Sequence, residues 1–494
     1  MNTSEYLPIN KLLVEIEKTK GNPLSFEDLR DEIKAKDDSG NPKYYINMKE
    51  NDDLFILYYD NLPKSVDTEH SSLADEIEKG TRSCIFEKKT LKPIATQFNR
   101  IIYNAEAKEF LEGKDWGKIV VEKCYEGTIL VVYNHNDKWY ISTRRCLDAS
   151  ESTWIKNKSY KEMFEEAIEG KFVIDDLDKD NCYYFVLVHH KNKNIINYAN
   201  LGFGHMYKDV VHAFTSKKYT LDEVEYTIND VVKKTERVYF SNLHELTDRL
   251  QELSAENESK KTITMEGYVL KYYYGEIKKS PFTVLKLQTE IYQTIMKVKP
   301  NNSNMYQSYL ELYQNDKLND YLPYFSKYNS DTIKRIHLSM RTLAKELLDV
   351  YHGTRQKKNP EAYKALRDQY KKILYGLHGL FIKFRKPNYD SKDGDKTLRS
   401  ITVHDVYHFL KDLPPQQLRQ LYYERSQMVE NDICIEFLDM NCLETTTLIT
   451  LMFQHSKKKS SSKKEYDSQS EKSIDSDIEF LDKEENKQID VVVE

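Results

Sequence analysis

The hydrophobic period changes once along the 494 residues, near residue 290, and that change limits the chain to two kinds of body in series. From about residue 80 to 290 the apolar residues fall in short runs: Cys84–Phe86, Ile119–Val121, Thr128–Tyr133, Trp139–Ser142, Tyr183–Val188, Thr264–Tyr274 and Phe282–Leu287. Runs of this length read as strands. Asn134–Asp137 supplies a hairpin turn between two of them. Helical stretches at Tyr160–Glu169 and Leu243–Leu253 interrupt the series, which predicts an α+β domain built on antiparallel sheets. Beyond 290 the period is 3.6. Ile336, Met340, Leu343, Leu347 and Val350 form one apolar stripe, with Ser330 as N-cap and Gly353 past its end. Asn359-Pro360 opens a helix with Tyr363, Leu366, Tyr370 and Leu374 on one face. Thr402-x-x-Asp405 is a loose capping box, and Pro414-Pro415 separates two further helices. The expected organisation is an N-terminal extension over 1–75 packed on an α+β domain over 76–295, an all-helical domain over 296–455, and a disordered tail over 456–494.

Composition removes several classes. With 15 glycines, and no GxGxxG or GxxxxGK[ST] string, a large Rossmann-type sheet is disfavoured. The cysteines at 84, 124, 146, 182, 434 and 442 show no CxxC pair or zinc spacing and read as reduced thiols. No apolar run approaches ~18–20 residues, and the first residues lack the pattern of a signal peptide, so an intracellular, cytoplasmic protein without membrane partners is expected. The tail holds 8 Lys against 11 Asp and Glu, half of the net charge of −6, so bulk charge neither favours nor excludes a nucleic-acid partner. Ser473 and Ser476 stand beside acids as kinase sites do, but a plain solvated tail is the simpler reading.

One ordered triple carries chemistry. Lys123 ends an apolar run, Glu266 opens Glu-Gly-Tyr-Val, and Lys286 lies in Val-Leu-Lys-Leu-Gln. A lysine that attacks a nucleotide α-phosphate must lose its proton near neutral pH, which desolvation and neighbouring cations allow. The phosphoryl transition state then needs positive charge and a metal held by carboxylate oxygen. Lys123 as nucleophile, Glu266 as metal-side carboxylate and Lys286 as phosphate clamp meet those demands.

In these residues the chain resembles the ATP-dependent RNA ligases of the phage RNA ligase 1 type, within the covalent nucleotidyltransferase superfamily. Thr81-Arg82-Ser83-Cys84-Ile85-Phe86-Glu87 resembles that family's Arg-Gly-x-x-Phe-Glu string, and Thr96-Gln97-Phe98-Asn99 its Lys-Phe-Phe-Asn. Lys123–Thr128 resembles the nucleophile motif and Ile141-Ser142-Thr143-Arg144 the strand after it. Phe185–Asn192, Glu266–Val269 and Val284–Gln288 resemble the later motifs. The resemblance covers about residues 80–295 and implies a virus-encoded RNA-repair ligase, an adenylation domain followed by a helical domain, a monomer favoured. It implies ATP and Mg²⁺ or Mn²⁺ as cofactors and RNA ends as partners. Lys123 would carry AMP, Arg82, Glu126, Arg144, Glu266 and Lys286 would contact the nucleotide, and Glu266 the metal. AMP would pass to an RNA 5′-phosphate, and a 3′-hydroxyl would then attack. The family has two residues between lysine and glycine, the second acidic, where this chain has Cys124, Tyr125 and Glu126. Val186 stands for a glutamate, Gln288 for a lysine and Thr96 for a lysine.

Those departures motivate a rival, a catalytically degenerate ligase-like RNA-binding protein. DNA ligases and mRNA guanylyltransferases form the other alternative, disfavoured because an OB-fold should follow the last motif there. Taken singly, each residue has a plainer reading. Glu266-Gly267 is a turn, Lys286 a solvated strand residue, Arg82 and Arg144 surface partners. His189-His190, adjacent on a strand, should point to opposite faces and not share an ion. Tyr272–Tyr274 suits base stacking but more simply packs a sheet.

Overall fold

The computed structural model describes residues 3–20, 24–59, 72–97, 99–155, 157–299, 304–325, 331–356, 360–385 and 400–453. The expected tail, Ser330, Asn359 and Phe98 lie outside them. The chain divides after Met296 into two compact units, an α+β unit and a helical one.

Three larger sheets and a two-stranded one, Thr153–Ile155 with Lys158–Ser159, build the described part of the first unit. The first is antiparallel, in the order Asn47–Glu50, Leu54–Tyr58, Cys84–Glu87, Pro93–Thr96. The pairing of Leu54–Tyr58 with Cys84–Glu87 carries this sheet across residue 75. The central sheet runs Glu223–Val224, Lys208–Lys217, Asn181–His189, Thr128–His135, Lys138–Ser142, with Lys233–Lys234 added in parallel to Lys208–Lys217. Its hairpin turns at Asn136 and Asp137, both at positive φ as a two-residue primed turn requires. The third sheet runs Arg237–Val238, Ile119–Lys123, Gly267–Tyr273, Phe282–Gln288, Ile102–Tyr103, antiparallel except for the last pair.

Side-chain alternation fixes how these layers stack. Leu54, Ile56, Ile85 and Ile94 of the first sheet share a core with Val131, Tyr133, Cys182 and Tyr184 of the central one. The opposite face of the first sheet, with Phe55 and Phe86, is covered by the helices Ile9–Lys20 and Phe26–Ile33. The other face of the central sheet carries Leu130, Val132, Phe185 and Leu187 and packs on Met163, Phe164 and Ala167 of the helix Tyr160–Ile168. That helix starts on a capping box between Ser159 and Glu162. Each large apolar side chain so buried contributes about 1.5–3 kcal/mol. The third sheet lays Val121, Tyr268, Leu270, Leu285 and Leu287 against Ala107 and Leu111 of the helix Asn104–Leu111 and Leu246 and Leu250 of the helix Leu243–Lys260. Its reverse face meets the central sheet, where Lys271 lies over the ring of Phe214 and Tyr273 donates to Glu223 at 2.7 Å.

In the helical unit the expected stripe of Ile336, Met340, Leu343, Leu347 and Val350 is wholly buried on the helix Asp331–Tyr351. That helix packs on Val403–Lys411 and Leu443–Phe453. Thr402 and Asp405 form a true capping box. The helix expected behind Pro360 is two, Pro360–Ala365 and Asp368–Arg385, because Glu424 accepts from the backbone N–H groups of Gln369 and Tyr370 and caps a new start there. Arg425 binds Glu346 through Nε at 2.7 Å and Nη2 at 2.6 Å in the interior.

Gly127 joins the third sheet to the central one. A Cβ there would collide with the Leu187 carbonyl oxygen and stand 2.8 Å from Val186 Cγ1. Gly127→Ala is therefore expected to cost about 1–3 kcal/mol through forced backbone movement. Urea unfolding should show it, and an unchanged midpoint would contradict this packing.

Candidate active site

Residues directly opposite one another on neighbouring strands share a face. Tyr268 stands opposite both Lys123 and Leu287, and belongs to the helix-covered core of the third sheet. Lys123 therefore points to the helix side. Its Nζ donates to Glu236 Oε2 at 2.7 Å, and its side chain is 37% exposed. Val269 stands opposite Glu122 and Lys286, so these two look the other way, toward the central sheet.

On that inner side lies a buried polar cluster. Glu266 precedes Gly267, whose own Cβ would strike the Leu287 carbonyl oxygen, so strand and carboxylate sit close to the Phe282–Gln288 strand. Glu266 Oε1 accepts from Lys286 Nζ at 2.7 Å and Gln288 Nε2 at 2.8 Å, and Oε2 from the Cys124 thiol at 3.3 Å. Gln288 is itself fixed by two hydrogen bonds with Asn104, at 2.9 and 3.0 Å. Burial alone would discharge Lys286, but the Glu266 carboxylate outweighs it and holds its pKa well above the ordinary lysine value. Burial, followed by the charge of Glu266, pushes the Cys124 thiol far up, so it stays a thiol and a hydrogen-bond donor.

Glu126 extends the cluster. Its carboxylate accepts from the consecutive backbone N–H groups of Asn194, Ile195 and Ile196 at 2.7–3.2 Å and from the Tyr292 hydroxyl at 2.9 Å. The Tyr198 hydroxyl donates to its backbone carbonyl at 3.1 Å. Loss of water around the carboxylate, and next the charge of Glu266, raise its pKa, while the backbone donors oppose the rise.

Of the residues expected to act together, Glu126, Glu266 and Lys286 meet in one cluster and Lys123 faces away from it. Arg144 donates to the Tyr59 carbonyl at 2.7 Å and stacks on the Tyr59 ring. Arg82 lies in the turn before Cys84–Glu87, half-buried, without an ion pair among the described residues. The donor set does not fit a divalent metal at Glu266, because both of its oxygens already accept from internal donors. Among the described residues no group of three or more His, Cys, Asp and Glu side chains is placed to hold a metal. The histidine pair departs from expectation: the strand ends at His189, a 3₁₀ turn follows, and the two rings stack at 4.4 Å. His189 turns to Glu166 at 3.3 Å, and burial with nearby positive charge lowers its pKa to about 3.

Cys124, Asn104 and Tyr292 were not picked out by sequence reasoning. A signal existed for Cys124. Counting back from Gly127 through an acid and one further residue, the family spacing places its lysine at 124 rather than 123.

The site and fold define an α+β chain with a polar cluster between antiparallel sheets. Among solved structures it is similar to the "Putative ATP-dependent DNA ligase from Aquifex aeolicus", 10% identical over 59% of this chain and 73% of that one, with a TM-score of 0.33. It is also similar to an archaeal ATP-dependent RNA ligase in two forms, 8% and 10% identical over 65% and 67% of this chain and 82% of each, with TM-scores of 0.34 and 0.36. By sequence, 115 residues are 31% identical to the "Immediate-early protein ICP-46 homolog" of Invertebrate iridescent virus 3, covering 22% of this chain and 26% of that protein. The match thus spans about a quarter of the curated relative. No protein-family profile matches the chain. Among the described residues no helix is long and apolar enough to cross a membrane.

Lys286→Met should leave Glu266 buried without its cation and cost about 3–5 kcal/mol in denaturant unfolding. Adding Glu266→Gln should recover part of that loss, since the two residues are coupled. Equal destabilisation in the single and double variants would show that the pair does not matter.

Proposed function

We propose that the chain is a ligase-type nucleotidyltransferase that uses ATP and joins RNA 5′-phosphate and 3′-hydroxyl ends through a lysyl-AMP intermediate. The observation that supports this most directly is strand adjacency. The three segments bearing Lys123, Glu266 and Lys286, far apart in sequence, are neighbours in one sheet, and Glu266 meets Lys286 at 2.7 Å on the face turned toward the central sheet. The chain's own groups then have plain tasks. Lys286, held charged, offers an electrostatic partner to a phosphate. Glu266 and Gln288 hold it in position, and the clasped Glu126 fixes the turn that joins the two sheets. Any magnesium or manganese enters as part of the ATP substrate.

A second reading has its own support. Cys124 occupies the inward position and Lys123 the outward one, and both oxygens of Glu266 are taken. That arrangement suits a ligase-shaped protein that binds RNA without forming a covalent adenylate.

Incubation with α-labelled ATP or GTP and Mg²⁺ or Mn²⁺ separates the two. Label should appear on the protein from ATP and not from GTP, and should pass to a 5′-phosphorylated RNA. No label with any nucleotide would sink the covalent reading, and label from GTP alone would assign capping instead.

A further inference from the structure

The helix Val403–Lys411 starts on the Thr402–Asp405 capping box and packs on Asp331–Tyr351, with Val406 and Leu410 fully buried. His404 and His408 each lie two residues before one of these anchors, about 200° away around an α-helix. That sets both on the opposite side, and both are exposed. Four residues apart, they stand one above the other on a single face, and their ring centroids are 4.3 Å apart.

Three other histidines are committed to polar partners. His337 Nδ1 is 2.7 Å from the Tyr313 hydroxyl, His378 Nδ1 is 3.1 Å from the Tyr351 hydroxyl, and His244 Nδ1 is 3.0 Å from Asp248. His404 and His408 differ. Among the described residues neither ring has a hydrogen bond or an ion pair, and the rings touch each other and, for His408, Tyr407. The charged groups nearby leave room for a cation. Lys411, three residues beyond His408, turns its ammonium to Asp316 and over the Tyr313 ring at 5.1 Å. Asp405 is held by the Thr402 cap, and Asp412 is exposed at the end of the helix.

We propose that His404 and His408 form a two-point chelate for a divalent transition-metal ion of the zinc and copper class. Neutral imidazole nitrogen suits these ions, at a bond length of about 2.0–2.1 Å, and the i, i+4 spacing brings two such nitrogens to one ion on a helix face. Water fills the other positions, because among the described residues no third His, Cys, Asp or Glu side chain is placed to join the pair. The same donors discriminate against magnesium, which takes oxygen ligands and keeps much of its water. A bound ion would clamp one turn of the helix to the next. The site lies wholly within the helical unit and does not depend on the nucleotidyltransferase reading of the first unit.

The test uses the full chain, freed of metal with a chelator that is then dialysed away, and titrated with Zn²⁺ or Cu²⁺ in millimolar Mg²⁺. Both ions should bind despite the Mg²⁺, and saturating Zn²⁺ should raise the melting temperature, since an ion that prefers the folded helix stabilises it. His404→Ala and His408→Ala should each weaken the tightest Zn²⁺ site by at least about tenfold, the lower end of what even a residue supporting a metal ligand is worth. Their metal-free melting temperatures should not fall, because both side chains are exposed. Nitrogen hyperfine structure in the Cu²⁺ EPR spectrum should count two imidazole nitrogens in the wild type and one in either variant. Wild-type Zn²⁺ affinity in both variants, a wild-type Cu²⁺ spectrum in either, or displacement of the ion by Mg²⁺ would overturn the assignment.

Discussion

A carboxylate cannot be held away from water without donors, and Glu266 shows how much of the first unit follows from that requirement. Its partners come from the loop after one strand (Cys124) and from two positions on another (Lys286 and Gln288). Satisfying it fixes the spacing of the Ile119–Lys123, Gly267–Tyr273 and Phe282–Gln288 strands at once. Asn104 then ties the last of these to the helix that begins beside it. Removing any one donor leaves a charged or polar group stranded, so the cluster is a structural keystone as well as a chemical one.

Much of the fold was legible in the sequence because most strands are apolar runs bounded by turn residues. The expected Cys84–Phe86, Thr128–Tyr133, Trp139–Ser142 and Phe282–Leu287 runs lie within observed strands, and the Asn134–Asp137 turn is a hairpin as read. The Ile336–Val350 stripe and the Thr402 capping box were equally plain. The longest strand, Lys208–Lys217, escaped notice because Asp209, His212, Thr215 and Ser216 dilute its apolar residues. His212, Thr215 and Ser216 are buried all the same, since hydrogen bonds such as His212 to Thr215 at 2.9 Å satisfy them. Composition cannot see that.

The site was legible in part for a related reason. Order along the chain picked out Glu266, Lys286 and Glu126, because motifs on adjacent strands keep their order whatever the local detail. Facing is a different property. It turns on the parity of a strand, and parity is set by the pairing of Lys123 with Tyr268, a partner 145 residues away in the sequence. The clasp on Glu126 was invisible for a similar reason: it is made by the backbone N–H groups of Asn194, Ile195 and Ile196, which every sequence possesses and none displays.

The turn from Lys123 to Gly127 has a further meaning in terms of descent. Strand geometry allows a side chain one of two faces, and no intermediate orientation exists between them. A chain that gains or loses one residue before Gly127 exchanges its inward side chain for its neighbour in a single event. Gly127, walled in by Leu187 and Val186, stops the slack from being absorbed on the far side. A lineage crossing that point would change the chemistry of its innermost position in one step while its sheets, helices and remaining motifs stayed as they were.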